Sequence, residues 1–272
     1  MNLITLCNRI QLQDEIQKEV IEYSQTSRFH EILPFIGGLK NMETESQTRK
    51  ELEPLLGADP KKIKMLTCML TCAVQQYQWY QKKGIIETIY FDTMRCFTRF
   101  IEECRQITGQ YAFDREWWAV RQISGILFRI GELEYEMVKE GQEPAISIHI
   151  PSDSVFTPQR CDRSLEKARA FFAKYFPEYD GKDYVCWSWL LAPELENLLP
   201  PDSNIIAFQH RFLIQELDYS DTEYIQWVFK TKNLPLENLP ENTALQKKMK
   251  QHLLNGGKLG NGQGVLLSPT VK

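Results

Sequence analysis

Two hydrophobic periods divide this chain. From Ile10 to about Gly109, apolar residues recur at the three- and four-residue spacing of helices that bury one face, interrupted at Pro34, Gly37, Gly38, Pro54, Gly57, Pro60 and Gly84. The pattern predicts a bundle of about four or five helices and no strand. Asp59-Pro60 reads as a helix start, with the carboxylate accepting orphan amides and proline at the first helical position. The helix that follows, to about Lys82, carries Ile63, Leu66, Met69, Leu70 and Val74 on one stripe. Residues 85–107 read as one further helix, whose stripe of Ile86, Ile89, Tyr90, Met94, Phe97, Phe100 and Ile101 is wide enough to be covered on more than one side.

Beyond Gly109 the period changes. Asp114 reads as the cap of a helix through Trp117, Trp118, Val120, Ile123 and Leu127, after which residues 131–138 alternate strictly, Leu133, Tyr135 and Met137 against Glu132, Glu134 and Glu136. Gly141 and Pro144 mark a turn. Residues 145–150 alternate again, with Ile146, Ile148 and Ile150 on one face and Ser147 and His149 on the other, so the pair reads as a hairpin. A polar loop (151–158) leads into an amphipathic helix (159–176) ridged by Leu165, Ala168, Phe172 and Phe176. A buried strand (184–191), a short helix from Pro193, a strand over 204–216 and helices over 221–230 and 243–254 complete the prediction. The glycine-rich end reads as flexible. The chain is thus expected to be α+β, with an all-helical domain over 1–112, an α/β domain over 113–255 and a tail over 256–272.

Composition narrows the class. A length of 272 residues allows two cores, and 43% hydrophobic with 25% charged residues is a globular balance. No stretch approaches the roughly 18 apolar residues of a membrane span, and Met1–Ile10 lacks a signal peptide's basic start and apolar run, so the cytoplasm is the expected location and no membrane partner is expected. Seven cysteines without a CxxC pair fit reduced thiols rather than a disulfide framework or zinc site, and the four histidines are scattered, so no metal is expected. A net charge of −4 removes the broad electrostatic basis for nucleic-acid binding.

Several segments carry a family likeness: Ile148-His149-Ile150-Pro151, Phe156-Thr157-Pro158, Ser164 with Ala168 to Phe172, Cys186 through Trp187, Ser188 and Trp189 to Pro193, and Leu199-Pro200 with Ser203-Asn204-Ile205 to Phe208. They resemble the bacterial "acyltransferase domain" proteins, in which a helical N-terminal domain precedes a GNAT-like C-terminal domain. The resemblance implies a mixed sheet in the second domain and acyl-CoA or acetyl-CoA as cosubstrate. In GNAT enzymes two neighbouring parallel strands splay, the pantetheine arm fills the gap, and the pyrophosphate lies at the start of the next helix. Transferred here, the splayed strands are 145–150 and 184–191. The cofactor-binding residues implied are Ile150, Ser152, Ser154, Thr157, Arg160 and Arg163. The sequence departs from the GNAT pattern in having no glycine between Pro151 and Arg163, and no tyrosine between Pro193 and Leu199 to protonate the leaving thiolate.

Acylating an amine from a thioester needs a base for the amine proton, a proton for the thiolate and donors to polarise the carbonyl. The candidates are Glu134 and His149 for the base, and Ser188 and Cys186, which share a strand face, for the thioester side. The plain reading of Glu132, Glu134 and Glu136 is a water-facing strand edge, and that of Cys186 and Ser188 is small residues packed under a helix. The expected activity is transfer of an acyl group to an amine on a small molecule or peptide. A non-catalytic ligand- or partner-binding protein is the second reading. A thiol hydrolase built from Cys186, His210 and Asp218 is a third, and it requires an accessible, acidic thiol.

Overall fold

The structure is a computed structural model that describes residues 1–231 and 234–267. The chain divides into two compact units, 1–130 and 131–272. The first contains α1 (Leu3–Arg9), α2 (Asp14–Ser24), α3 (Ser27–Ile32), α4 (Glu45–Leu56), α5 (Ile63–Lys83), α6 (Glu87–Met94), α7 (Cys96–Thr108), α8 (Glu116–Ile123) and the short strand β1 (Leu127–Ile130). Helix α5 is its axis, touching α1, α2, α6 and α8. Leu66, Cys68, Met69, Leu70, Cys72 and Ala73 of α5 are fully buried.

Three departures from the sequence pattern have local causes. Asp59 does cap α5, accepting from the amides of Lys64 at 3.2 Å and Met65 at 3.0 Å, but Pro60 is not the first helical residue. Lys62 has a left-handed backbone (φ 56°), which turns the chain before the helix starts at Ile63. The single helix expected over 85–107 is two, α6 and α7, meeting at Arg95. Near this joint the Thr93 hydroxyl donates to the Ile89 carbonyl at 2.6 Å and accepts the Arg129 amide at 3.0 Å, the kind of back-bonding that bends helices. The helix expected to run through Leu127 stops at Ile123, because Gly125 takes a φ of +73°. Leu127 then lies in β1. The boundary between units consequently falls at 130 rather than 112: the Phe113 amide donates to the Lys61 carbonyl at 2.9 Å, and α8 packs on α5.

The second unit contains β2 (Leu133–Glu140), β3 (Glu143–His149), α9 (Pro158–Tyr175), β4 (Tyr184–Ser188), α10 (Leu195–Leu198), α11 (Asn204–Gln209), β5 (Phe212–Asp218), α12 (Glu223–Phe229), α13 (Ala244–Leu254) and β6 (Asn261–Leu266). Its strands lie side by side in the order β2-β3-β4-β6-β5. β2 and β3 form the expected hairpin, closing with Glu140 opposite Glu143 across Gly141 (φ +62°). β4 runs parallel to β3, and β6 runs antiparallel to both its neighbours, making the sheet mixed. Helix α9 packs on β2, where the Tyr135 hydroxyl lies 2.9 Å from Ser164 Oγ. Helices α10 to α13 gather a second apolar cluster around Leu195, Phe229 and Met249.

Two expectations fail in this unit. Residues 204–216 are not one strand: Ser203 caps α11 through the Ile205 amide at 3.2 Å, and extended chain begins only at Phe212. The supposed tail supplies β6, an interior strand, while residues 268–272 of that expectation lie outside the described residues. Glycine in β6 is a packing device. A Cβ on Gly262 would stand 2.8 Å from Leu191 Cβ and 3.0 Å from the Leu191 carbonyl oxygen, and one on Gly264 would stand 3.2 Å from Leu191 Cδ1. The tight turn Trp189–Leu191 that follows β4 sinks onto β6 because those two side chains are missing.

Gly262→Ala should therefore lower the denaturation midpoint by the equivalent of about 1–3 kcal/mol, the usual cost of overpacking against rigid backbone. Gly37→Ala, where a Cβ meets nothing within 4 Å, should change stability by less than about 0.5 kcal/mol in the same urea titration.

Candidate active site

The site begins where the sheet stops being continuous. β3 and β4 pair in parallel at Ile146 with Tyr184 and Ser147 with Val185, and among the described residues the ladder ends there. Each strand continues on its outer edge, β3 to His149 opposite Glu134 of β2, and β4 to Ser188 opposite Gly262 of β6. The two strands therefore part between Ile148–His149 on one side and Cys186–Ser188 on the other while both remain anchored.

The pleat sorts side chains between the two faces of this opening. Ser147 and Val185 are register partners, so His149 and Trp187, each two residues on, project from the same face, together with Glu134 and Glu136. On that face His149 Nε2 lies 2.9 Å from Glu136 Oε2. A carboxylate accepts, so in this contact Nε2 is the donor. The glutamates do not face water as alternation suggested: Glu134 is 3% exposed and Glu136 8%. The structure thus brings a carboxylate and an imidazole together, but the hydrogen-bonded partner is Glu136, while Glu134 is the residue directly opposite His149.

Cys186 and Ser188 occupy the other face. Cys186 is fully buried, and burial pushes its thiol up to about 12. Ser188 Oγ accepts the Leu190 amide at 3.1 Å and holds the turn that ends β4. Neither residue joins His149. His210 lies 3.0 Å from Glu196 Oε1 and is exposed, and Asp218 accepts from both the amide and the hydroxyl of Ser220. The thiol-hydrolase arrangement is not formed.

At the end of β3, Ile150 is partly exposed and leads through Pro151 into the loop before α9. Two of the residues expected to meet phosphate are engaged within the protein. Ser154 Oγ donates to the Glu132 carbonyl at 2.5 Å, and Arg160 Nη1 donates to Glu132 Oε1 at 2.7 Å. The other Glu132 carboxylate oxygen, Oε2, accepts the Val155 amide at 2.9 Å. Ser152 is exposed in the same loop. The Thr157 hydroxyl, the amides of Phe156 and Gln159 and the exposed guanidinium of Arg163 have no hydrogen-bond or ion-pair partner among the described residues. This supply of unsatisfied donors at the first turn of an 18-residue helix fits an anionic group such as a pyrophosphate. Arg211, which sequence reasoning overlooked, braces that turn by donating to the Pro158 carbonyl at 3.1 Å and to Asp162 at 2.7 Å.

The Glu136–His149 contact had a signal in the sequence. A two-residue hairpin loop closing Glu140 on Glu143 fixes every pairing behind it, which places His149 opposite Glu134 and one diagonal from Glu136. Glu132 and Arg211 had none, since each acts across a long sequence separation. Among the described residues, no three His, Cys, Asp or Glu side chains converge as a metal site, and no helix is long and apolar enough to cross a membrane.

A sheet whose parallel central strands part, followed by a helix with open amides at its start, defines an acyltransferase fold of the GNAT kind. The GNAT-like C-terminal domain family matches residues 127–266 and the N-acyltransferase N-terminal domain matches residues 1–125, and the chain belongs to this two-domain N-acyltransferase family. Solved structures agree on the fold. An acyltransferase in complex with decanoyl-CoA is 22% identical with a TM-score of 0.81, covering 97% of this chain and 87% of its own. An acyltransferase complex with decanoyl-CoA and teicoplanin is 20% identical with a TM-score of 0.79 and the same coverage. No curated protein matches the sequence.

All seven cysteines are buried. Iodoacetamide at pH 7 should leave the folded protein unmodified, with full alkylation only in denaturant; rapid labelling of Cys186 in the native state, located by peptide mass mapping, would contradict its placement.

Proposed function

We propose that this protein transfers an acyl group from a CoA thioester to an amine on a small molecule or peptide, with His149 as the general base and Glu136 as its orienting partner. The observation that carries the reading is the His149–Glu136 pair on the rim of the opening between β3 and β4. The extended pantetheine arm fits such an opening because it carries amide groups that replace the missing ladder partners. The phosphates then lie toward the start of α9, near Thr157, the Phe156 and Gln159 amides and Arg163.

In this mechanism the amine nitrogen attacks the thioester carbonyl carbon while His149 takes the amine proton, and the carbon–sulfur bond breaks as the amide forms. The imidazolium, stabilised by Glu136, returns that proton to the CoA thiolate, directly or through water. Ser188 and Cys186 stand on the opposite face, so they have no part in either proton transfer. The acceptor enters on the His149 face, where Trp187 is exposed. A small molecule or peptide as acceptor is supported by the acyltransferase of similar fold solved in complex with decanoyl-CoA and teicoplanin.

Acyl-CoA should raise the melting temperature of the wild type. His149→Ala should retain that shift while kcat falls by about 10²–10⁴-fold, the range for loss of a general base, and Glu136→Gln should fall less. Release of free CoA thiol in the presence of an amine, followed colorimetrically, measures kcat. Absence of a melting shift with acyl-CoAs from acetyl to decanoyl would overturn the reading.

A further inference from the structure

The loop between β3 and α9 has no glycine from Pro151 to Arg163, yet it must hold its backbone in place if phosphates are to approach it. It is held from outside. Glu132, in the turn just before β2, touches the loop at two points and the first turn of α9 at a third: its carbonyl accepts from Ser154 Oγ, Oε2 accepts from the Val155 amide, and Oε1 accepts from Arg160. The Glu132 side chain is 17% exposed and that of Arg160 47%. The carboxylate is thus mostly withdrawn from water and its charge is offset by the guanidinium.

We propose that Glu132 is a positioning residue for CoA phosphate binding, a side-chain clamp on a loop that lacks the glycines of the GNAT pattern. The inference rests on the acyl-CoA reading above. With Val155 and Arg160 tied to one carboxylate, the loop keeps one conformation in which the Phe156 and Gln159 amides and the Thr157 hydroxyl remain available to an anion. Glu132 touches no reacting atom. Its removal acts on the phosphate end of the cosubstrate and leaves the thioester end, at His149, as it was.

The test compares two thioesters carrying one acyl group, decanoyl-CoA and decanoyl-pantetheine, the second without phosphates. Glu132→Ala should raise KM for decanoyl-CoA by about tenfold, the scale of a lost charge-assisted hydrogen bond, with kcat and the KM for decanoyl-pantetheine unchanged. Glu132→Gln keeps an acceptor for Val155 but no charge for Arg160, and should lie between the two. This isosteric variant carries the test should the alanine variant not fold. An equal loss on both thioesters, or a fall in kcat, would assign Glu132 a general structural role and overturn the proposal. So would an unchanged or lowered KM for decanoyl-CoA, the lowered value meaning that the carboxylate competes with the phosphates. A wild type that turns over neither thioester would overturn the acyl-transfer reading and this inference with it.

Discussion

The site depends on two parallel strands that are each held firmly on one edge and released on the other. A sheet normally resists such an opening, because every lost ladder bond leaves an amide or carbonyl to be satisfied by something else. Here β2 fixes β3 and β6 fixes β4 up to their last residues. The chain past His149 is directed away by Pro151, which keeps Ile150 extended before the loop turns at Ser154, whose amide donates back to the Pro151 carbonyl at 3.1 Å. On the other side, Ser188 caps a tight turn that leaves the sheet at Trp189, and glycine at 262 and 264 lets that turn press onto β6. The opening is therefore a property of what holds its two walls, and no residue within it has to force the strands apart.

The faces of the opening are chemically unequal, and burial decides how each is used. Cys186 is fully buried, and burial withdraws solvent from the thiol and favours its protonated form. His149, with 22% of its side chain exposed, keeps access to solvent while Glu136 fixes the ring. An imidazole whose ring is already oriented has less to reorganise on taking a proton, which is why the proposed base is placed on this face. The pleat sends alternate members of the Cys-Trp-Ser-Trp run to opposite faces, so Cys186 and Ser188 do not share a face with His149.

What the sequence made legible was whatever is fixed by near neighbours. The alternation of β2 and β3, the Pro158 start of α9 and the closing of α5 at Gly84 (φ +74°) are set by residues within a turn or two, and all appear where expected or within two residues of it. The parting of the strands near Ile150 and Trp187 was also anticipated, through the family likeness rather than through periodicity. The illegible elements depend on distant partners. Ile205, Ile206 and Phe208 form a run too short to distinguish a buried helix from a strand, and the Ser203 cap settles it. The glycines of 256–264 read as flexible because nothing nearby shows that Leu191 occupies the space above Gly262 and Gly264. The same limit hid Glu132, whose partners Val155 and Arg160 lie more than twenty residues away.

These observations explain how the GNAT arrangement persists here without two of its usual sequence marks. Topology and strand register define the opening, and neither depends on a glycine-rich loop or on a tyrosine after β4. One hairpin holds the polar groups at the opening instead: Glu132 at its entrance grips the loop before α9, and Glu136 pairs with His149 on the rim. Both devices require the same register. A slip of one residue between β2 and β3 would carry His149 away from Glu136 and disturb the apolar face that Tyr135, Ile146 and Ile148 bury. The short turn at Gly141 therefore does more than join two strands, because by closing Glu140 on Glu143 it fixes where the imidazole, its carboxylate and the packing beneath them all come to rest.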